Sequence, residues 1–246
     1  MSLRLLAPLA AIAALTSCPA LPAAEAIAPR AGLDLFNGRN LAGWVKFAPS
    51  SDPAAPETWT VADGVIQCSG KPNGYLRTEA RYRDYRLTVQ WRWVPVPPPV
   101  DAQGRPRNRN SGILLHTQSP DNVWPKSLEA QLMEGSAGDF YIIGGVDTAE
   151  HAAAREKAVA AAGADEEAVR RARNNRRLQK GKDSAEKPLG EWNTYEIVCA
   201  GSSVTLRVNG VDQNRATGVT VADGCICLQS EGAPIQFRHV RIEPLK

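Results

Sequence analysis

Apolar and polar residues alternate along most of the chain that follows the first 30 residues. In YRLTVQWRW (85–93) every second residue is aromatic or aliphatic, and the residues between them are Arg, Thr or Gln. This period of two is typical of a β-strand with one buried face. Similar short runs recur at SGILLHTQ, SLEAQLME, NTYEIVCA, GCICLQSE and PIQFRHVRIEP, with Asp-Gly and Asn-Gly pairs that favour hairpin turns. The pattern predicts ten or more antiparallel strands, and hence an all-β jelly-roll sandwich.

Two segments interrupt this pattern. The stretch from 94 to 110 is too rich in proline for a strand or a helix and predicts a long loop. From about 147 to 182 the chain is rich in Ala, Arg and Glu, which predicts a helical insertion of two helices broken near Gly163, with Asp165 as an N-cap. The basic residues between 170 and 182 are expected to form a solvated face.

The N-terminus has the pattern of a secretion signal. Arg4 precedes the apolar run LLAPLAAIAAL, which is too short for a permanent membrane span. Cleavage before Cys18, as in a lipobox, would leave a lipid-anchored protein, whereas cleavage near 24–26 would leave a free one; we favour the lipoprotein. Both cleavage sites predict a signal within residues 1–26, a single domain over 31–246, and export to the periplasm or the bacterial envelope.

Composition and charge limit the classes of molecule that the protein is expected to bind. The chain is 43% hydrophobic with a net charge of +3, which indicates a globular protein and no nucleic-acid partner. The spacing of Cys68, Cys199, Cys225 and Cys227 does not match a zinc motif. We expect buried small residues, with one disulfide left open as an alternative. The chain contains no glycine-rich dinucleotide fingerprint.

Several motifs together resemble one family. LFNGRNLAGW, RNSGILL, SLEAQLMEG, AGDFYIIGG and ICLQSEGAPIQFRHVRIEPL occur in the order found in the 3-keto-disaccharide hydrolase domain, also described as a 3-keto-α-glucoside 1,2-lyase/3-keto-2-hydroxy-glucal hydratase domain. The resemblance extends from 33 to 244. It implies a concanavalin A-like jelly roll that acts on oxidised sugars. The chain departs from the family pattern at Glu134, where Asp is common, and at Glu231, where His is common.

The resemblance implies an elimination mechanism. A ketone at C3 acidifies the proton on C2, so that a base can remove it, the enolate can expel the C1 substituent, and water can then add. This route needs a general base, a stabiliser of the enolate oxygen and an acid for the leaving group. It also needs a separate sugar oxidoreductase to make the substrate.

The strand SLEAQLME supplies the first candidates for this chemistry. Glu129 and Gln131 share one face, and the apolar Leu128 and Ala130 share the other, which belongs to the core. We expect Glu129 to be the base and Gln131 to hold a sugar hydroxyl or carbonyl. The simpler alternative is a polar pair on a solvated strand.

A second group of candidates surrounds this strand. His116 lies two residues beyond Leu114 on the preceding strand, so it could share the face of Glu129 if the two strands pair. His116 and Glu134 are then further acid–base candidates, and the two could bind a divalent metal together with Glu129. No spacing requires a metal, and no cofactor is specified.

The remaining candidates are sugar contacts. Polar side chains could bind hydroxyls, Lys126 could stabilise an enolate, and the aromatic rings could stack on a pyranose. The alternatives are turn chemistry and core packing. The candidate substrate-binding residues are Asn110, Ser111, Trp124, Lys126, Asp139, Tyr141 and Glu231.

Other functions fit the same fold. A non-catalytic carbohydrate-binding module would use these residues only to hold sugar, because a fold does not determine a function. A conventional glycoside hydrolase would instead need two carboxylates at a defined separation.

Overall fold

A computed structural model describes residues 25–49 and 57–246. Most of the predicted signal, including the lipidation candidate Cys18, therefore lies outside the described residues. The described chain forms fifteen strands and two helices: β1 (Leu33–Asp34), β2 (Trp44–Phe47), β3 (Trp59–Ala62), β4 (Val65–Cys68), β5 (Gly74–Thr78), β6 (Tyr85–Trp93), β7 (Gly112–Thr117), β8 (Ser127–Gln131), β9 (Phe140–Ile143), α1 (Ala149–Ala162), α2 (Glu166–Asn174), β10 (Arg177–Leu178), β11 (Asn193–Ala200), β12 (Ser203–Val208), β13 (Val211–Ala216), β14 (Cys225–Ser230) and β15 (Ile235–Pro244).

The strands form two antiparallel sheets that pack face to face. The first has the order β13-β12-β11-β6-β15-β4-β3, with β1 added to β15. The second has the order β10-β9-β8-β7-β14-β5-β2. The predicted β-sandwich with a helical insertion is therefore confirmed. The second sheet carries the candidate site.

The core lies between the two sheets and explains the alternation in β6. The residues from Tyr85 to Trp93 that were expected on one face are all buried, whereas the polar residues between them are partly exposed. Trp91 packs near Tyr195, with ring centroids 5.5 Å apart. Trp91 and Trp93 thus belong to the core, as the alternation predicts, and Trp44 is buried as well.

The two helices lie between β9 and β10. Thr148 caps α1 and Asp165 caps α2, each by accepting a hydrogen bond from a backbone N–H of the first turn. After α2 the chain returns to the second sheet, where β10 pairs with the edge strand β9. The insertion is therefore attached to the sheet at both ends.

The cysteines of the described chain are buried and free. None of Cys68, Cys199, Cys225 and Cys227 forms a disulfide. Burial raises the pKa of the Cys68 thiol to about 11 and that of the Cys199 thiol to about 12, which keeps both protonated and unreactive at neutral pH. Within residues 25–49 and 57–246, no helix is long and apolar enough to cross a bilayer.

Candidate functional site

Five neighbouring strands of the second sheet bring distant residues to one pocket. Because the order is β10-β9-β8-β7-β14, the segments that begin or end these strands lie side by side. They enclose a cavity of about 120 Å³, called the inner pocket below. Its lining residues are Asn110, Trp124, Glu129, Gln131, Met133, Tyr141, Ile143, Arg176 and Glu231.

Glu129 lies at the base of this pocket and is almost completely buried. It projects from β8 opposite Leu114 of β7 and Tyr141 of β9, and only 4% of it is exposed. Its Oε1 has no hydrogen-bond partner among the described residues. Burial and the negative charge of Glu231 raise the pKa of Glu129 well above its usual value, although Arg176 opposes this shift. This shift favours the protonated form of Glu129.

Glu231 is the second carboxyl group of the inner pocket. It follows β14, and its backbone pairs with that of Asn110 just before β7. Burial raises the pKa of Glu231 to about 7, against the opposing effects of a hydrogen bond from Asn110 and the positive charges of Arg107 and Arg176. Two carboxyl groups with different pKa values can act as a proton donor and a proton acceptor.

Gln131 is oriented by the backbone. Its Oε1 accepts hydrogen bonds from the backbone N–H groups of Leu132 (2.8 Å) and Met133 (2.7 Å). The amide therefore leaves its Nε2 as the group that can donate to a ligand in the pocket.

Two aromatic side chains complete the inner pocket. Tyr141 of β9 is half-buried, and Trp124, in the loop between β7 and β8, is 41% exposed. An exposed tryptophan at a pocket rim provides a flat apolar surface for the C–H face of a sugar ring. The structure thus brings together five residues that the sequence singled out: Asn110, Trp124, Gln131, Tyr141 and Glu231 surround Glu129.

Arg176 is a pocket residue that the sequence analysis missed. It lies between α2 and β10, in the basic segment that was expected to be a solvated face. Its carbonyl accepts a hydrogen bond from the N–H of Ile142 (2.8 Å), and the carbonyl of Asn175 is bonded to His151 Nε2 (2.9 Å). No signal in the sequence marks this position, because Arg176 is exposed and resembles the other arginines of the basic segment.

A larger groove continues from the inner pocket. It encloses about 940 Å³ and shares Asn110, Met133 and Glu231 with the inner pocket. One wall is the proline-rich loop that was predicted between 94 and 110, and the other includes Lys71 and Asn73. We refer to it as the outer groove.

His116 does not reach the inner pocket. Its backbone φ is +53°. The register between β7 and β14 also shifts, because Leu114 pairs with Cys227 while Thr117, three residues later, pairs with Cys225, only two residues away. This β-bulge turns the ring toward the core, where Nδ1 lies 3.0 Å from the carbonyl of Val221 and the ring meets Tyr85 edge-on. His116 therefore does not share the face of Glu129, contrary to the expectation from the sequence, and burial lowers the pKa of His116.

Glu134 and Lys126 also lie outside the inner pocket. The Glu134 carboxylate is 3.0 Å from Arg109 Nη1, and Arg109 also donates to the carbonyl of Val96 (2.5 Å). Glu134 therefore anchors the proline-rich loop rather than contributing a catalytic carboxyl group. Lys126 is exposed and is not part of the lining. The proposed metal ligands His116, Glu129 and Glu134 are thus not assembled, and the described chain contains no cluster of three metal-binding side chains.

Ser111 and Asp139 have structural contacts instead of facing the pocket. Ser111 is fully buried and donates to the carbonyl of Gln229 (2.8 Å). Asp139, also fully buried, accepts hydrogen bonds from Arg177 Nε (2.6 Å) and the N–H of Lys180 (2.8 Å). Asp139 therefore holds in place the segment that follows α2 and contains Arg176.

Two solved structures with a similar fold come from Parabacteroides distasonis. A presumed glycosyl hydrolase from Parabacteroides distasonis is 18% identical, with 88% of this chain and 94% of that chain covered and a TM-score of 0.57. A second presumed glycosyl hydrolase from the same species is also 18% identical, with 87% and 99% covered and a TM-score of 0.54. At this identity the similarity concerns the fold.

Comparison at the sequence level gives one result. The family model of the 3-keto-alpha-glucoside-1,2-lyase-like domain matches residues 33–243. Comparison with curated proteins gives no match.

Proposed function

Because this chain belongs to the 3-keto-alpha-glucoside-1,2-lyase-like domain family, we propose that it cleaves 3-keto-glucosides by elimination at C1 followed by hydration. One observation carries the proposal: the buried carboxyl group of Glu129 and the partly buried carboxyl group of Glu231, both with raised pKa values, line one pocket together with the cation of Arg176. A base, an acid and an oxyanion stabiliser are the groups that this reaction requires.

The pKa shifts support other roles than those expected from the sequence, in which Glu129 was the base and Glu231 a sugar contact. The raised pKa of Glu129 favours its protonated form, so Glu129 is suited to protonate a leaving group. Glu231, with a pKa of about 7, is ionised in a large fraction of molecules and can accept a proton. A general base with a pKa near the working pH combines availability with basicity. We therefore assign Glu231 as the base and Glu129 as the acid.

Elimination then proceeds in two steps. The Glu231 carboxylate takes the proton from C2, and the electron pair of that C–H bond forms an enolate with the C3 ketone, whose oxygen is stabilised by Arg176. The enolate returns its electrons to form the C1–C2 double bond while the bond from C1 to the glycosidic oxygen breaks. Glu129 gives its proton to that oxygen, so the leaving group departs as a neutral alcohol.

Hydration uses the same two groups in the opposite direction. Glu129, now a carboxylate, takes a proton from water, and the resulting hydroxide adds to C1. Glu231, now protonated, returns its proton to C2. Both carboxyl groups regain their starting states, and the net reaction is hydrolysis of the glycosidic bond.

The other lining residues are suited to hold the sugar ring. Trp124 and Tyr141 offer aromatic faces, and Gln131 Nε2 offers a donor for a hydroxyl group. Asn110 contacts the base rather than serving only as a sugar ligand, because its amide lowers the pKa of Glu231. Positioning of this kind lowers the barrier by fixing the reacting atoms in place.

The test compares a 3-keto-glucoside with its unoxidised parent and follows release of the C1 substituent. We expect cleavage of the keto substrate alone, and we expect Glu129→Gln and Glu231→Gln to bind it while losing turnover at least 100-fold. Cleavage of the unoxidised parent would support a conventional glycoside hydrolase. Binding without any turnover by the unaltered protein would support a carbohydrate-binding module.

The proposal includes a cellular setting. We propose that the protein is exported and acts in the periplasm or at the bacterial envelope, where a separate sugar oxidoreductase supplies the ketone. The signal-like pattern within residues 1–26 supports this setting. Mass measurement of the mature N-terminus distinguishes a lipidated Cys18 from cleavage near residues 24–26.

A further inference from the structure

The inner pocket is too small to hold a complete glycoside. Typical ligand-binding cavities enclose about 300–1,000 Å³. The inner pocket encloses about 120 Å³, whereas the outer groove encloses about 940 Å³ and opens from it at Asn110, Met133 and Glu231. A substrate whose reacting ring lies beside Glu129 and Glu231 must therefore place its aglycone, the group attached at C1, in the outer groove.

The wall of the outer groove is preformed. Pro97, Pro98 and Pro99 have backbones that proline rings restrict. Arg109 holds this segment at the carbonyl of Val96, and the N–H of Arg107 donates to the carbonyl of Pro99 (2.8 Å). A wall held in this way binds a ligand without the cost of ordering a loop.

The wall is suited to an aromatic ring rather than to a second sugar. Sugars bind by stacking on aromatic side chains, and the inner pocket provides Trp124 and Tyr141. None of the described side chains that line the outer groove is aromatic; its apolar part consists of proline, valine and Met133. Proline surfaces pack well against aromatic rings, as in the recognition of proline-rich peptides. The aromatic ring that packs on the proline wall would therefore belong to the ligand.

The charges of the groove favour an acidic substituent on that ring. The positively charged Lys71 and Arg107 line the groove, and the charge of Arg107 also acts on Glu231. Among the described residues of the lining, Glu231, at the junction with the inner pocket, has the only carboxyl group. We infer that the outer groove is an aglycone subsite for an aryl group that carries a carboxylate, an inference that rests on the proposed function.

The test measures binding rather than turnover. The Glu129→Gln variant is titrated by calorimetry with the methyl, phenyl and 4-carboxyphenyl 3-keto-glucosides of one anomer, and with a 3-keto-disaccharide. We expect phenyl to bind at least tenfold more tightly than methyl, and 4-carboxyphenyl about threefold more tightly than phenyl, the gain typical of an exposed ion pair.

Reversal of the charge at position 107 tests the inferred preference for a carboxylate on the aryl group. Arg107→Glu, added to Glu129→Gln, is expected to make 4-carboxyphenyl bind more weakly than phenyl, with little change for methyl. Arg39→Glu is the matched control, because Arg39 is exposed and lies outside the groove. Thermal melting checks that each variant is folded.

The outcomes separate this inference from the proposed function. Equal binding of methyl and phenyl, or tighter binding of the disaccharide than of phenyl, would overturn the aryl subsite and leave the proposed function intact. An equal effect of Arg107→Glu on all three glucosides would overturn the acidic preference. Failure of every keto sugar to bind would contradict the proposed function itself.

Discussion

The Glu129 carboxyl group lies directly over the Cα of Gly112. A Cβ at position 112 would come within 2.3 Å of Glu129 Oε1. The two residues lie on adjacent strands, where Gly112 pairs with Gln131 and Leu114 pairs with Glu129. The sequence offered turn chemistry or sugar binding as reasons for the Asn-Ser-Gly motif; the structure adds that Gly112 makes room for the acid.

Gly112→Ala is therefore expected to displace the Glu129 carboxyl group. Because the φ of Gly112 is not in the left-handed region, alanine does not strain the backbone, and the damage is confined to the crowded contact. We expect turnover to fall at least tenfold, with a loss of about 1–3 kcal/mol in unfolding free energy from overpacking. Steady-state kinetics and denaturant unfolding measure the two effects.

Gly181→Ala is the control for this prediction. A Cβ there meets no atom within 4 Å, so turnover and stability should be unchanged. If Gly112→Ala reduced stability without altering turnover of the folded enzyme, the position of the Glu129 carboxyl group would not matter for catalysis.

The pH profile tests the assignment of the base. Glu231 must lose its proton to act, so kcat/KM should rise as the pH passes about 7 and fall where Glu129 loses its own proton. Asn110→Ala removes a hydrogen bond that lowers the pKa of Glu231, so the rising limb should move to higher pH. An unmoved rising limb in this variant would argue against Glu231 as the base.

Arg176 is expected to act on the transition state. Removal of one oxyanion-stabilising donor typically costs about 10²–10³ in kcat. We expect Arg176→Ala to lower kcat by about this factor, with a smaller change in KM. Arg173→Ala, which removes an exposed arginine in the last turn of α2, is the control and should retain full activity. Similar losses in both variants would show that the helical insertion as a whole, rather than the Arg176 guanidinium, is responsible.

Burial of Glu129 should make the folded protein less stable at higher pH. Its pKa is raised above the unfolded value of about 4.5, so between these values the folded chain holds a proton that the unfolded chain has lost. The unfolding free energy therefore decreases as the pH rises through this range. Glu129→Gln removes this titration, and we expect its Tm to exceed that of the unaltered protein at pH 8, with a smaller difference at pH 5.

Thermal melts at the two pH values check this prediction. Glu191→Gln, at an exposed turn, is the comparison and should show no such dependence on pH. A Tm difference for Glu129→Gln that is the same at both pH values would mean that Glu129 titrates normally in the folded chain.

The pattern of the sequence was sufficient for the fold and for part of the site. Alternation predicted which residues of β6 enter the core, and the same rule separated Leu128 and Ala130 from Glu129 and Gln131 on β8. These predictions depend on the local geometry of an extended chain, in which successive side chains point to opposite faces. The motifs also identified the family correctly.

His116 shows where that rule fails. Alternation placed it on the face of Glu129, but a β-bulge and a positive φ reversed its direction. A bulge depends on the register between two strands that are far apart in sequence, and Gly224 of the partner loop leaves room for the His116 backbone. Local alternation carries no information about that register.

The tertiary structure decided which residues from different strands meet at the inner pocket. By itself the sequence determined the strands, the helical insertion, the family and the candidate carboxyl groups, because each depends on neighbouring residues or on motifs. Only the strand order placed Glu231 and Arg176, which lies in the insertion, beside Glu129. The same order placed Glu134 against Arg109 instead. The raised pKa values follow from the same packing, since desolvation depends on what covers a side chain in three dimensions.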